Sequence, residues 1–390
     1  MTSAPRSQSI RVACGPVRTR LKSRTRSPLI GLSVPLEPPV VPMKSPPYRA
    51  GTVSGMTKSD LPAYRDLPRR GGLPAAWDVW AGGDARYFGC LNLLTPERVA
   101  AAARLVSKGA VFPMNWDMRK PDPPLFGRSP FGHEVTGDER SVSHDDVLHA
   151  WNTQSSSQWD GFRHIRNFAA QHDEPGTGHF GGVTDDEHGV HHWAQRGIAG
   201  RAVLCDVARW RESIGRPIVH DQSDPIEADE LLECLAHQGT DLEEGDILLV
   251  RTGWIGWYER QPIEVRERMA IVSELRTPGL RSDERTAEVL WNMHIAAIAA
   301  DNPAVEVWPP GALRTSEENA EVRSDRRRMH EIFTHTLFLP MLGLPLGEMF
   351  VLDQLADDCA ADGRYTGFFT SAPLNLPSGV ASPPNALVIK

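Results

Sequence analysis

Short apolar runs alternate with helical segments along this chain. This alternation is the sequence feature that most restricts the possible folds. The runs cover residues 201–207, 246–251 and 295–300. Each has the length and composition of a strand that is buried on both faces. A later strand is predicted over residues 365–371. Strands interleaved with helices indicate an α/β protein.

Helices are predicted between these strands from start and stop signals. Thr95 and Pro96 are typical of an N-cap and a first helical residue, and the helix that follows should end at Gly109. Ser282 is expected to cap a helix that reaches about residue 291. Another helix is predicted over residues 224–239, with three leucines on its apolar face: Leu231, Leu232 and Leu235.

Charge is unevenly distributed along the chain. The net charge is -8, but residues 1–55 hold nine basic residues and one acidic residue, so 33 basic and 49 acidic residues remain, a net charge of -16. An acidic body argues against a nucleic-acid-binding scaffold. No apolar run approaches the roughly 20 residues of a membrane-spanning helix. We therefore expect a small-molecule substrate and neither nucleic acid nor membrane as a partner.

The chain is predicted to contain one domain after an N-terminal extension. Residues 1–55 are rich in Arg, Ser and Pro and should be disordered; a transit peptide, or a true start at Met56, are alternatives. Residues 73–390 contain neither a clear linker nor an internal repeat. Five widely spaced cysteines without a CxxC pair favour reduced thiols and a cytoplasmic enzyme.

Residues 153–164, TQSSSQWDGFRH, carry the densest group of candidate site residues. Gln154, Gln158 and Asp160 have the same parity, so an extended segment would direct all three side chains to one side. His164 follows closely and could act as a general base near neutral pH. Burying so many polar groups for packing alone is costly. The segment therefore predicts a functional site.

His335 and Glu348 form a second candidate group near the C-terminus. Imidazole and carboxylate groups are common ligands of catalytic divalent metals, and such sites are often assembled from distant segments. The histidines within residues 188–193 are interpreted as mostly surface residues, near the entrance to the site. Neither GxGxxG, GxxxxGK[ST] nor GxSxG occurs in a suitable context, which disfavours nucleotide binding and serine-hydrolase chemistry.

Together these residues resemble the cyclase family of metal-dependent hydrolases, which includes bacterial kynurenine formamidase and isatin hydrolase. The family signature is HxGTHxDxPxH. Asp160 matches its Asp and His164 its last His, whereas Gln154 and Gln158 stand at its first two His positions. The family's later metal-ligating His and its paired Glu are matched by His335 and Glu348. The resemblance extends over about residues 73–390.

The resemblance implies a swivelling β/β/α single-domain fold and a homo-oligomer, at least a dimer. It implies that Asp160, His335 and Glu348 hold a divalent metal. Gln154 and Gln158 would be weak metal ligands or substrate-orienting groups. Because this set is rich in oxygen donors, Mn²⁺ is favoured over Zn²⁺ or Mg²⁺. Loss of the metal, with the glutamines binding substrate directly, is the alternative.

The implied activity is hydrolysis of an amide or a small cyclic amide or ester, as in arylformamidases. His164 and Glu348 are the expected catalytic residues, and Trp159 is expected to contact the substrate with the two glutamines. Two alternatives remain open at this point. The chain could be a cyclase or dehydratase of secondary metabolism, or a degenerate member that binds a small ligand without turnover.

Overall fold

A computed structural model of the protein describes residues 61–173 and 187–390. These residues all belong to one compact unit. The extension predicted over residues 1–55 lies outside them. Leu61, Tyr64 and Leu67 are buried in the main hydrophobic core. Packed structure therefore begins before residue 73, the expected start of the domain.

The strands of this part of the chain, in order, are β1 Arg69–Arg70, β2 Leu73–Pro74, β3 Val111–Pro113, β4 Gly132–Val135, β5 Asp146–His149, β6 Gln158–Asp160, β7 Ile198–Cys205, β8 Pro225–Ile226, β9 Ile247–Val250, β10 Gly279–Leu280, β11 Ala297–Ala300, β12 Leu346–Glu348, β13 Thr366–Ser371, β14 Ala381–Ser382 and β15 Ala386–Ile389. The four predicted strands are confirmed as β7, β9, β11 and β13, with small differences at their ends.

The α-helices of the same residues are α1 Pro96–Ala103, α2 Phe168–Asp173, α3 His191–Arg196, α4 Val207–Ser213, α5 Ala228–His237, α6 Trp254–Glu259, α7 Ile263–Ala270, α8 Glu284–Asn292, α9 Ser316–Ser324, α10 His335–Leu337 and α11 Asp353–Asp362. Short 3-10 turns occur at Tyr64–Asp66, Gly83–Tyr87, Gly89–Leu93 and Arg326–Glu331, and a π-helical turn at Phe338–Leu342. None of the helices in the described ranges is long and apolar enough to cross a membrane.

One nine-stranded sheet organises the structure, in the order β14-β6-β12-β11-β9-β7-β13-β15-β3. Strands β7, β9, β11 and β12 are parallel, and the strands that flank them on both sides pair antiparallel. Parallel strands require covered faces, and both β9 and β11 are fully buried. The predicted α/β class is confirmed.

The predicted helices are present, but two of them start later than expected, and α1 ends at Ala103 and not at Gly109. Thr95 caps α1 through a bond from the Arg98 backbone nitrogen, as predicted. Helix α5 begins at Ala228, because residues 225–226 form β8 instead and Glu227 supplies the cap. Its Leu232 is 46% exposed and therefore does not belong to the apolar face.

Helix α8 also has a different cap from the predicted one. The Asp283 carboxylate accepts a bond from the Thr286 backbone nitrogen at 2.8 Å, so Asp283 and not Ser282 is the N-cap. The Ser282 hydroxyl instead donates to Glu306 at 2.5 Å. Ser282 therefore contributes to the buried polar cluster described next. The expected homo-oligomer and the cytoplasmic location stay predictions.

Candidate functional site

Two neighbouring strands bring the first polar residues together. Strands β6 and β12 pair antiparallel, so that Glu348 lies opposite Gln158 and Leu346 opposite Asp160. Side chains two residues apart on a strand share a face. Gln158, Asp160 and Glu348 consequently project from the same region of the sheet, and all three are buried.

His335 completes a cluster of possible metal ligands from the short helix α10. Its Nε2 lies 3.1 Å from Oε1 of Glu348 and 3.8 Å from Oδ2 of Asp160. One donor atom from each of Asp160, His335 and Glu348 can be chosen so that all lie within 4.8 Å of one another. The fold thus brings together residues that lie far apart in the sequence.

Glu306 holds His335 from its other side. Nδ1 of His335 lies 2.5 Å from Oε1 of Glu306, and the backbone nitrogen of Thr334 donates to Oε2 at 2.7 Å. Ser282 donates to the same oxygen. In the neutral form of His335, a proton on Nδ1 directed at Glu306 would leave the Nε2 lone pair facing Asp160 and Glu348, as a metal-ligating histidine requires.

No role for Glu306 is predicted from the sequence. It lies 29 positions before His335, so no local spacing connects the two. The available signal is a single carboxylate in the apolar stretch AVEVW of residues 304–308. A fully buried Glu in such a stretch needs a partner.

Burial and mutual repulsion perturb the carboxylates of the cluster. Burial, followed by the charge of Asp160, raises the pKa of Glu348 to about 7, although His335 opposes the shift. Burial also acts to raise the pKa of Asp160, but His164 and His335 outweigh it and the net shift is downward. Two carboxylates this close repel each other unless a positive charge lies between them.

His335 has the opposite perturbation. Burial favours its neutral form, but Glu306, Asp160 and Glu348 together hold the pKa of His335 well above its usual value. The pKa of Glu306 is lowered by His335 and by its hydroxyl donors, against the effect of burial. The cluster therefore attracts positive charge, which a proton on His335 or a cation can supply.

Both glutamines present amide nitrogen to the carboxylates. Nε2 of Gln154 donates to Oδ1 of Asp160 at 2.7 Å, and Nε2 of Gln158 donates to Oε2 of Glu348 at 2.5 Å. A carboxylate can only accept, so this orientation of the amides is the one that satisfies it. In this geometry the amide nitrogens of Gln154 and Gln158 face the carboxylates and orient them. The expected role as metal ligands would instead require the amide oxygens to face the ion.

His164 borders the cluster on the side of Gln154. Its Nδ1 lies 3.1 Å from Nε2 of Gln154, and its Nε2 lies 3.7 Å from Oδ2 of Asp160. Burial lowers the pKa of His164, although Asp160 opposes the shift. A neutral imidazole beside the acidic cluster can accept a proton.

Trp159 lies in the core, away from the polar residues on either side of it in the sequence. Its indole nitrogen donates to Ser371 at 3.0 Å, and its ring packs against Phe350 and Phe369. The alternation of side chains along β6 explains this position, because Gln158 and Asp160 occupy the other face. The expected contact of Trp159 with substrate is not supported by this position.

The histidines of residues 188–193 do not join the cluster of possible ligands. His192 stacks on the ring of Tyr87 at a centroid distance of 4.0 Å. His188 is 7% exposed, so its predicted surface position is wrong. Residues 187–190 precede α3, and the chain packs His188 edge-on against Tyr87.

Two buried oxygens in the cluster have no hydrogen-bond partner among the described residues: Oδ2 of Asp160 and Oε1 of Gln158. A buried, unsatisfied acceptor is costly, and a carboxylate oxygen is especially so. A cation among Asp160, His335 and Glu348 would satisfy the first of these atoms. The donor set of two carboxylates and one imidazole is compatible with a divalent metal.

Several proteins of known structure are similar to this chain. A crystal structure described as a novel cyclase shares 28% sequence identity and a TM-score of 0.63, covering 81% of this chain and 99% of its own. Isatin hydrolase A from Labrenzia aggregata, bound to benzyl benzoate, is 16% identical over 72% of this chain and 93% of its own, with a TM-score of 0.47. Isatin hydrolase A from Ralstonia solanacearum is 17% identical over 76% and 98%, with a TM-score of 0.48. No curated protein matches.

A family model described as "Putative cyclase" matches residues 32–307, which is more than half of the chain. The match includes Gln154, Gln158, Asp160 and His164 and ends before His335 and Glu348. The solved cyclase shares the fold over most of both chains. The chain belongs to the Cyclase family and has its fold.

Proposed function

We propose that this protein is a metal-dependent hydrolase of an amide or of a small cyclic amide or ester. The observation that carries the proposal is the buried set of Asp160, His335 and Glu348, whose donor atoms lie within 4.8 Å of one another. Family membership supports the reaction class, and the buried donor set supports the need for a metal.

Asp160, His335 and Glu348 would hold the ion. A divalent cation bound there polarises a carbonyl oxygen and lowers the pKa of water, which is the chemistry that hydrolysis needs. Glu306 fixes the imidazole of His335 in the tautomer that leaves Nε2 available. Gln154 donates to Oδ1 of Asp160 and Gln158 donates to Oε2 of Glu348, and these bonds orient the two carboxylates.

His164 would accept the proton of the attacking water and return a proton to the leaving nitrogen. Its lowered pKa keeps it neutral, and thus able to accept, at neutral pH. Gln154 links His164 to Asp160, because its amide nitrogen reaches both side chains. Replacement of Gln154 or of Asp160 should therefore disturb the position of His164.

Mn²⁺ is the proposed ion, in preference to Zn²⁺ or Mg²⁺. Two carboxylates and one imidazole offer more oxygen than the nitrogen- and sulfur-rich sites that zinc prefers. A single imidazole also distinguishes the site from all-oxygen magnesium sites.

The test is turnover of amides and small lactams by protein that has been stripped with a chelator and reloaded with Mn²⁺, Zn²⁺ or Mg²⁺. We expect activity only after reloading. His164→Ala should lose turnover and keep its metal, whereas Asp160→Asn should lose both. Full activity of the stripped protein would refute metal dependence, and a near-normal kcat in His164→Ala would remove His164 from the mechanism.

A further inference from the structure

Arg128 lies beside the candidate metal site, on the segment that precedes residues 153–164. Its Nη1 donates to the backbone carbonyl of Gln154, whose side chain contacts Asp160 and His164. The charge of Arg128 lowers the pKa of Asp160, His164 and Glu348, after larger effects that include burial. The hydrogen bond to Gln154 thus places Arg128 one residue away from Asp160 and His164 in the contact network.

Arg128 has hydrogen-bonding capacity to spare. Among residues 61–173 and 187–390 no carboxylate forms an ion pair with it, and its Nε and Nη2 donate to nothing. Burial lowers the pKa of Arg128, with Glu348 and Asp160 opposing the shift. Arg119, on the same segment, behaves differently, because it is exposed and pairs with Asp117 at 2.6 Å.

The acidic groups of the site have other roles. Asp160 and Glu348 would balance the charge of the proposed divalent ion, and the oxygens of Glu306 accept from Ser282, Thr334 and His335. Arg128 is half-buried, and its Nε and Nη2 are not among the fully buried polar atoms, so they are accessible to a ligand. Its planar fork of donors matches the two oxygens of a carboxylate.

A line of aromatic rings connects Arg128 to the metal ligands. The guanidinium lies 5.1 Å from the ring centre of Phe126, which contacts Trp308 at 4.9 Å. Trp308 contacts Phe333 at 6.5 Å, and Phe333 stacks on His335 at 4.8 Å. All three aromatic side chains are half-buried. They form a row of partly exposed apolar rings that begins at the Arg128 guanidinium and ends at His335.

We propose that Arg128 is a substrate-recognition residue, whose Nε and Nη2 bind a carboxylate on an apolar ligand that occupies the candidate site. The inference rests on the proposed hydrolase function. Hydrolysis of an amide adds the oxygen of water to the acyl carbon, breaks the C–N bond, transfers a proton to nitrogen and leaves a carboxylate. The group bound by Arg128 is either this new carboxylate or one that the substrate already carries.

The test is calorimetric binding of two probes, benzoate and its neutral analogue benzamide, to the full-length protein. Arg128→Met should weaken benzoate binding by about tenfold to a hundredfold, as expected for loss of a charge-assisted hydrogen bond. Benzamide affinity should change less than about threefold. Arg119→Met is the matched control and should bind both probes as the wild type does.

Unchanged benzoate affinity in Arg128→Met would overturn the inference. An equal loss of benzoate and benzamide would also overturn it, since that result indicates that Arg128 only supports the backbone at Gln154. If Arg128→Met fails to fold, Arg128→Lys replaces it, because Lys keeps the charge and loses the fork. Benzoate affinity should then fall several-fold with benzamide affinity constant, and no change in benzoate affinity would refute the inference.

Turnover distinguishes the two sources of the carboxylate. If the substrate carries it, Arg128→Met should lower kcat/KM for carboxylate-bearing amides and spare neutral ones. If hydrolysis forms it, the variant should relieve inhibition by product with both kinds of amide.

Wild-type protein that binds benzoate through Arg128 and hydrolyses no amide would refute the proposed function alone. An active hydrolase whose Arg128→Met variant binds benzoate normally would refute this inference alone.

Discussion

Glu306→Gln should weaken metal binding although Glu306 is not among the proposed ligands. The substitution preserves shape and removes the negative charge that faces Nδ1 of His335 at 2.5 Å. The amide can still accept a bond from His335 through its oxygen. Its nitrogen, however, would have to replace the oxygen that accepts from Ser282 and Thr334, where a donor cannot serve.

The expected magnitude follows from these contacts. A hydrogen bond to a charged group contributes about 1.5–3 kcal/mol, and loss of a carboxylate that orients a metal-ligating histidine commonly costs about 10–100-fold in metal affinity. A hundredfold change corresponds to about 2.8 kcal/mol, so the two ranges agree. We therefore expect Mn²⁺ to bind Glu306→Gln about 10–100-fold more weakly than it binds the wild type.

Isothermal titration of chelator-stripped protein with Mn²⁺ measures this effect. Glu230→Gln is the matched control, because Glu230 is also a buried carboxylate and is paired with Arg211 instead of a site residue. The control should keep wild-type Mn²⁺ affinity, even where it loses thermal stability. Equal Mn²⁺ affinity in Glu306→Gln and the wild type would refute the orienting role of Glu306.

Three further predictions test the site and its scaffold. Gln154→His combined with Gln158→His should raise Zn²⁺ affinity relative to Mn²⁺, measured by competition, because imidazole suits zinc better than a carboxamide does; an unchanged preference would place both positions away from the metal. Gly161→Ala should cost about 1–3 kcal/mol in denaturant unfolding, because its added methyl would lie 2.6 Å from a backbone oxygen. Leu231→Ala should cost about 2–5 kcal/mol and Leu232→Ala under about 0.5 kcal/mol, since only Leu231 is buried; equal losses would contradict the register of α5.

The strands of the central sheet are well predicted from the sequence, because β7, β9 and β11 are continuous apolar runs. Helix ends are predicted less well, since neighbouring residues compete for the same role. Ser282 and Asp283 can both cap α8, and the choice depends on Glu306, which lies more than twenty residues away. Tertiary contacts of this kind cannot be found from local spacing.

The candidate ligands could be singled out by residue type, but they could be joined into one metal site only through the resemblance to a family. No spacing rule connects Asp160 with His335 and Glu348, which the pairing of β6 with β12 and the position of α10 bring together. The alternation of side chains along an extended segment, by contrast, is a local rule, and it separates Trp159 from its polar neighbours. The roles of Glu306 and Arg128 depend on contacts that only the fold creates.

The assignment of Asp160, His335 and Glu348 as ligands of a divalent ion is tested most directly by the metal content of the protein. Protein stripped with a chelator, reloaded with Mn²⁺ and passed through a desalting column can be measured by elemental analysis. His335→Ala should retain little metal, while the wild type and the control His237→Ala, at an exposed position on α5, should each retain a stoichiometric amount. A wild type that retains no divalent ion, or a His335→Ala variant that retains as much as the wild type, would show that the assignment is wrong.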